Sequence, residues 1–128
     1  MTATNEQFMR EFYTLWKAAD IAGITARLAE DCVYDNVAVN QPMHGPKAVR
    51  EWLEAGFAAL DSIEVEIRTI AVNGDWVLIE RLDDHISGSR HMVLPVMNAT
   101  RLADGKIAEY RDYFDMVTVQ AIGLADSA

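Results

Sequence analysis

The fold class is decided by two neighbouring stretches, SIEVEIRTIAVN at residues 62–73 and WVLIERLDDHI at residues 76–86. Apolar and charged side chains alternate along the first stretch, which is the period of a half-buried β-strand. The residues NGD at 73–75, where the two stretches meet, are typical of a tight hairpin turn. We therefore expect two long strands that pair antiparallel.

Two further strands follow this hairpin, at residues 91–102 and 107–115. Pro95 lies inside the first of them and cannot donate a ladder hydrogen bond, so we expect a bulge or an unpaired stretch there. The second half of the chain thus predicts a meander of antiparallel strands.

Helical periodicity dominates the first half of the chain. Helices followed by a strand meander indicate the α+β class, with a curved sheet wrapped around the helices. The expected helices span residues 5–20, 21–31, 46–60 and 116–124, with a strand at 32–37 and a loop at 42–45.

Length and composition describe a single globular domain over residues 1–128. The 11 Lys and Arg against 20 Asp and Glu give a formal charge of -9, which argues against nucleic acid or an anionic membrane as a partner. The sequence shows neither an apolar run of membrane-spanning length nor a secretory signal pattern. With Cys32 as its one cysteine, we expect a cytoplasmic protein without an internal disulfide.

Polar side chains occupy inward positions in the strand at residues 76–86. Side chains two apart point the same way, so the face of Val77 and Ile79 continues through Arg81 and Asp83. Opposite charges therefore follow apolar residues into the expected core, where they are costly unless paired.

Two other strands repeat this pattern. Asp112 shares a face with the aromatic residues Tyr110 and Phe114, and Tyr34 shares a face with Asn36. Taken one at a time, Arg81 with Asp83 could be a structural ion pair and Tyr34 a core tyrosine. Together, two carboxyls, a guanidinium, a phenol and an amide on one interior make a chemically complete set and predict a working site.

The same residues resemble a known family. The motifs YDN at 34–36, ERLD at 80–83 and YRDYFD at 110–115 are similar in order and spacing to those of the limonene-1,2-epoxide hydrolases, as is the hairpin at 101–107. The wider superfamily includes ketosteroid isomerases and polyketide cyclases. The resemblance implies a cone-shaped, highly curved sheet closed by helices, a homodimer, and cofactor-independent hydrolysis.

Opening an epoxide needs a nucleophile at carbon and a proton at the departing oxygen. Asp112 would accept a proton from water that Tyr34 and Asn36 hold, and Asp83 would protonate the epoxide oxygen. Arg81 can bridge both carboxyls because its guanidinium is a planar fork of donors. These roles are similar to those of the matching residues in the family. A single proton shared by the two carboxyls would make the triad neutral, which is the cheaper state in an apolar pocket.

The sequence is also compatible with three other functions. An isomerase or cyclase of this fold needs one base and an oxyanion donor, and Arg81 beside the base would weaken it. A non-catalytic binding module should lack part of the polar set. A metal site from Asp83, His85 and Asp112 would compete with Arg81 for the carboxylates.

Apolar, adaptable side chains are the expected walls of the pocket and favour a terpene-like or cycloalkene epoxide. The outer face of the sheet is also apolar in part, at Trp76, Leu78 and Leu82, so we expect a homodimer through that face. The expected pocket walls are Met43, Leu53, Leu60, Met92, Met97 and Phe114.

Overall fold

The computed structural model describes residues 4–121 of the chain. These residues contain four α-helices, six β-strands and a short 3-10 turn at Val37–Val39. None of the helices described here is long and apolar enough to cross a membrane. The elements are α1 Asn5–Lys17, α2 Ile21–Ala26, β1 Leu28–Asn36, β2 Met43–His44, α3 Gly45–Ala58, β3 Ser62–Asn73, β4 Trp76–Ser87, β5 Arg90–Ala103, β6 Lys106–Tyr113 and α4 Met116–Ala121.

The six strands form one sheet in the order β2-β1-β6-β5-β4-β3. All neighbours are antiparallel except β1 and β6, which run parallel. Helices α1, α2 and α3 cover one face of this curved sheet and share its main core. The predicted α+β class, with a mixed, mainly antiparallel curved sheet, is therefore confirmed.

Helix α1 begins at Asn5 because the preceding Thr4 forms a capping box with Gln7. The Thr4 hydroxyl accepts from the Gln7 backbone nitrogen at 3.1 Å, and the Gln7 side chain accepts from the Thr4 backbone nitrogen at 3.0 Å. The buried face of this helix includes Phe12 and Tyr13. It therefore brings a tyrosine hydroxyl into the protein interior.

The end of the second helix was predicted wrongly. Helix α2 ends at Ala26, and β1 already begins at Leu28 instead of after residue 31. The cause is pairing between β1 and β6. The backbone nitrogen of Ile107 in β6 donates to the carbonyl of Arg27 at 2.8 Å, so the chain joins the sheet directly after α2.

Two loop predictions also changed in detail. The expected loop at 42–45 contains β2, whose Met43 pairs with Tyr34 of β1. The closing helix appears as α4, and residues 122–124 of its expected range lie outside the described residues.

The unpaired stretch expected at Pro95 is confirmed on one side of β5. The register with β4 continues unbroken through Leu82 and Pro95. Pairing with β6 begins only at Met97, opposite Tyr113. The missing donor of the proline is tolerated because one neighbouring strand ends there.

Strand β4 carries the alternation that positions the site. Val77, Ile79, Arg81 and Asp83 are buried on the face that meets the helices, while Leu78 is exposed on the other face. A smaller apolar cluster beside them contains Leu94, Val96 and Val119, with Phe114 and Met116 packed against it.

Candidate active site

Arg81 binds two buried aspartates at once. Its Nε and one terminal nitrogen donate to Asp83 at 2.8 and 3.1 Å. Its two terminal nitrogens donate to Asp112 at 2.8 and 2.6 Å. The three side chains belong to residues that are only 3%, 7% and 5% exposed, in the order Arg81, Asp83 and Asp112. The planar guanidinium therefore sets the spacing and orientation of both carboxyls.

The charges of this triad do not cancel when both carboxyls are ionised. Burial raises the pKa of Asp83 above its ordinary value, and this effect outweighs the attraction of the Arg81 guanidinium. The nearby Asp112 also raises the pKa of Asp83. Asp83 is therefore the carboxyl whose surroundings favour the protonated form.

Asp112 receives a further donor from strand β5. The side-chain nitrogen of Asn98 donates to Asp112 Oδ1 at 2.8 Å, and Asn98 lies directly opposite Asp112 in the register. The hydroxyl of Thr100 in turn donates to the Asn98 side-chain oxygen at 2.6 Å. Oδ1 of Asp112 therefore accepts from both Arg81 and Asn98, while the described residues give Oδ2 a donor from Arg81 alone.

Three buried tyrosines surround the triad. Arg81 donates to the Tyr13 hydroxyl at 2.9 Å, and that hydroxyl is 2.8 Å from the hydroxyl of Tyr110. The ring of Tyr110 stacks on Tyr34 with centroids 4.2 Å apart and planes inclined by 16°. Burial raises the pKa of all three phenols, so they stay protonated donors at neutral pH.

Tyr34 and Asn36 reach the site because β1 and β6 are parallel neighbours. Tyr34 is opposite Tyr110 and Asn36 is opposite Asp112. The Tyr34 hydroxyl is fully buried and bonds to none of the described residues. Since a buried hydroxyl is costly without a partner, this group is suited to hold a small polar molecule at the site. The structure therefore brings the five polar residues predicted from the sequence to one region of the sheet.

The residues expected to form pocket walls lie in different places. Met97 is 45% exposed on the opposite face of the sheet from Arg81, because odd positions of β5 point outward, so it is not a wall of this site. Leu53 and Met43 belong to the main core. Leu60 is half-buried beyond the end of α3.

Met92 and Phe114 lie beside the strand ends that carry the two aspartates. Met92 is buried and pairs with His85, two residues from Asp83. Phe114 packs against the smaller apolar cluster. Two surface depressions, one near Phe8 and one near Lys106, include none of the five polar residues of the site.

Tyr13, Asn98 and Thr100 were not predicted from the sequence as residues of the site. The inward positions of β5 run Met92, Leu94, Val96, Asn98, Thr100 and Leu102, so two polar residues interrupt an apolar alternation. That is the same signal that identified Arg81 and Asp83, and it could have found Asn98. Tyr13 gave no comparable signal, because a tyrosine on an apolar helix face is an ordinary core residue.

The residues described include no group of three or more His, Cys, Asp or Glu side chains placed to hold a metal ion. Asp83 and Asp112 are engaged by Arg81, and His85 Nδ1 is 3.1 Å from the carbonyl of Met92. Cys32 is a buried free thiol, and burial raises its pKa. His44 and His91 are exposed, and His91 is bound to Asp84.

A family model, the SnoaL-like domain, matches residues 9–110. The match covers most of the chain, from within α1 to within β6. The chain therefore belongs to the SnoaL-like domain family.

Two relatives relate the chain to epoxide hydrolases. Epoxide hydrolase EphG of Mycobacterium tuberculosis (strain ATCC 25618 / H37Rv) is 32% identical over 97 residues, which are 76% of this chain and 64% of that protein. The chain thus spans slightly less than two thirds of the length of EphG. A solved structure of an LEH-like epoxide hydrolase from M. tuberculosis is 28% identical, with a TM-score of 0.78 over 93% of this chain and 88% of that chain.

A third comparison concerns the fold alone. A protein from Catenulispora acidiphila DSM 44928 with a ketosteroid isomerase-like fold has a TM-score of 0.81 at 22% identity, over 92% of each chain. The cone fold is therefore confirmed. The resemblance to the limonene-1,2-epoxide hydrolases that the three motifs indicated is confirmed by the two M. tuberculosis relatives.

Proposed function

We propose that this protein is an epoxide hydrolase that adds water to a small apolar epoxide in one step and releases a vicinal diol. The observation that carries the proposal is the pair of buried carboxyls bridged by Arg81. Epoxide opening needs a base and an acid at the same moment, and two aspartates in unequal surroundings can supply both.

Asp112 is the general base. Its Oδ2 accepts from Arg81 alone among the described residues, so a lone pair is left to take a proton from water. The unpartnered hydroxyl of Tyr34 and the amide of Asn36 flank Asp112 through the pairing of β1 with β6. These two groups hold the water and aim its oxygen at the epoxide carbon.

Asp83 is the general acid. Its raised pKa favours the protonated carboxyl, and this proton passes to the epoxide oxygen as the C–O bond breaks. Arg81 then faces an ionised Asp83 and a protonated Asp112. Transfer of one proton back from Asp112 to Asp83 restores the starting state, and no cofactor is required for the balance.

The substrate class follows from the side chains beside the triad. Val96 pairs with Arg81 and Leu94 pairs with Asp83, and both are buried on the same inward face. Phe114 packs against them. A terpene-like or cycloalkene oxide presents an apolar body to such residues and one polar atom to Asp83.

The proposal is tested with the purified protein and a panel that includes limonene oxide and cyclohexene oxide, with diol formation as the readout. Asp112→Asn is the inactive comparison. Asp84→Asn is the matched control, because Asp84 is the next residue after Asp83 and pairs with the exposed Val93 on the other face of the sheet. We expect diol from the wild type and from Asp84→Asn. A ketosteroid isomerisation assay is run alongside, and isomerase activity without diol would support the proton-transfer function instead.

A further inference from the structure

Strand β5 contains a buried polar pair outside the five residues of the motifs. Asn98 is 1% exposed and Thr100 is fully buried, on the inward face that is otherwise apolar from Met92 to Val96. Burying an amide and a hydroxyl in this position costs free energy unless each is bonded. Their bonds lead directly to Asp112.

The orientation of the Asn98 amide is fixed by groups that leave it no alternative. Its nitrogen donates to the backbone carbonyl of Arg111 at 3.1 Å, and a carbonyl can only accept. Its oxygen accepts from the Thr100 hydroxyl at 2.6 Å. The remaining amide hydrogen therefore points at Asp112 Oδ1, and Asn98 cannot turn to accept a proton from a protonated Asp112.

The two aspartates are thus unequal. Asp112 accepts two hydrogen bonds from Arg81 and one from Asn98, whereas Asp83 accepts from Arg81 alone among the residues described. A donor to a carboxylate stabilises the ionised form. The extra donor therefore favours the arrangement in which Asp112 is ionised and Asp83 keeps the shared proton.

We propose that Asn98, oriented by Thr100, is a positioning residue that decides which aspartate of the pair is the base, and that it leaves Oδ2 of Asp112 to face the attacking water. This inference rests on the proposed function for its catalytic meaning. The underlying asymmetry is a property of the folded protein that can be measured without a substrate.

Other groups around Asp112 do not supply this asymmetry. Arg81 serves both carboxyls, and the tyrosines are neutral because burial raises the pKa of each. The groups that face Asp112 from neighbouring elements are Arg81 and Asp83 of β4, Tyr34 of β1, Tyr13 of α1 and Tyr110 of its own strand.

The first experiment follows the carboxyl carbons of Asp83 and Asp112 by NMR across a pH titration, with assignments from Asp83→Asn and Asp112→Asn. In the wild type the shared proton should reside on the Asp83 carboxyl and not on the Asp112 carboxyl. Asn98→Ala removes the donor, and we expect the Asp112 titration to move upward by about one pH unit. Asn98→Asp keeps the volume but replaces the donor with an acceptor, so the upward shift should be larger.

The second experiment uses the activity on whichever epoxide the wild type hydrolyses. For Asn98→Ala we expect kcat to fall about tenfold, KM to change little, and the acidic limb of the kcat profile to move to higher pH. Thr100→Val should show a smaller effect in the same direction, and Thr100→Ser should restore the wild-type profile because it keeps the hydroxyl.

Thr25→Val is the matched control. Thr25 is 5% exposed in α2, and its hydroxyl bonds to backbone carbonyls away from the site. It should lose stability without any change in the pH profile. Carboxyl titrations that are the same in wild type, Asn98→Ala and Asn98→Asp would overturn the role of Asn98. Altered titrations in a protein that hydrolyses none of the epoxides would support the inference and overturn the proposed function.

Discussion

Arg81 binds Asp112 through both of its terminal nitrogens, at 2.8 Å to Oδ1 and 2.6 Å to Oδ2. This two-point contact leaves Nε and a shared terminal nitrogen to hold Asp83. One flat group therefore fixes the two carboxyls to which we assign the roles of base and acid. Their mutual geometry depends on the shape of the guanidinium as well as on its charge.

The first prediction concerns that shape. Arg81→Lys keeps the positive charge but offers one ammonium in place of a fork, so it cannot hold both carboxyls in the same orientation. We expect a folded protein whose kcat/KM is lower by at least about tenfold. Steady-state kinetics with circular dichroism as the folding control tests this. If the lysine variant kept most of the activity, Arg81 would be needed only for its charge.

The second prediction concerns the base. Asp112→Asn keeps the volume of the side chain but cannot take a proton from water, so activity should fall by about 10²–10⁴. Asp84→Asn is the control, because it removes an aspartate of β4 whose side chain lies on the other face of the sheet. Near-normal turnover by Asp112→Asn would remove Asp112 from the reaction.

The third prediction concerns the acid and the pH dependence of stability. Since the folded pKa of Asp83 is raised above its unfolded value, proton binding by Asp83 stabilises the folded state. This contribution is complete below the unfolded value of about 4 and is lost as the pH rises through the folded value. Wild type should therefore lose more unfolding free energy than Asp83→Asn as the pH rises from about 4 through the folded pKa of Asp83.

Urea unfolding of both proteins across this pH range measures the difference. The same variant should lose as much activity as Asp112→Asn, because an amide is a poor proton donor. Parallel stability curves for wild type and Asp83→Asn would show that Asp83 does not hold a proton in the folded protein.

The sequence predicted the antiparallel part of the fold well, because β3 to β6 depend on local alternation and short turns. It did not predict that β1 runs parallel to β6. That pairing joins segments far apart in the chain and has no local signature. The early start of β1 at Leu28 has the same origin, because pairing with β6 overrides the helical pattern.

The candidate site was predictable in part for a related reason. Arg81, Asp83 and Asp112 stand out because a charged side chain on the inward face of a strand costs free energy to bury unless it is paired. Asn98 shows a weaker version of the same signal. Tyr13 could be found only from the structure, since its role depends on a hydroxyl contact between α1 and β4.

The fourth prediction concerns assembly, and we propose that the protein pairs two-fold through the outer face of the sheet. Leu78, Val93, Met97 and Tyr113 are each more than 40% exposed there. An apolar surface of this kind is rarely left in water. Light scattering at micromolar concentration should give the mass of a dimer.

The matched variants for assembly are Leu78→Glu and Val72→Glu. Leu78 lies on the outer face, whereas Val72 pairs with the buried Val77 and so lies on the other face, although it is 47% exposed. We expect the first substitution to give monomers and the second to leave the dimer intact. A monomeric wild type would contradict this proposal.

The most direct test of the central claim is a single turnover in heavy-oxygen water, with the enzyme in excess over the epoxide. If Asp112 removes a proton from water held by Tyr34 and Asn36, the new hydroxyl oxygen comes from solvent in the first turnover. We predict a diol that carries the heavy label and a protein whose mass is unchanged. An unlabelled diol, together with a heavier peptide containing Asp112, would show attack by the carboxylate itself and would contradict the one-step mechanism.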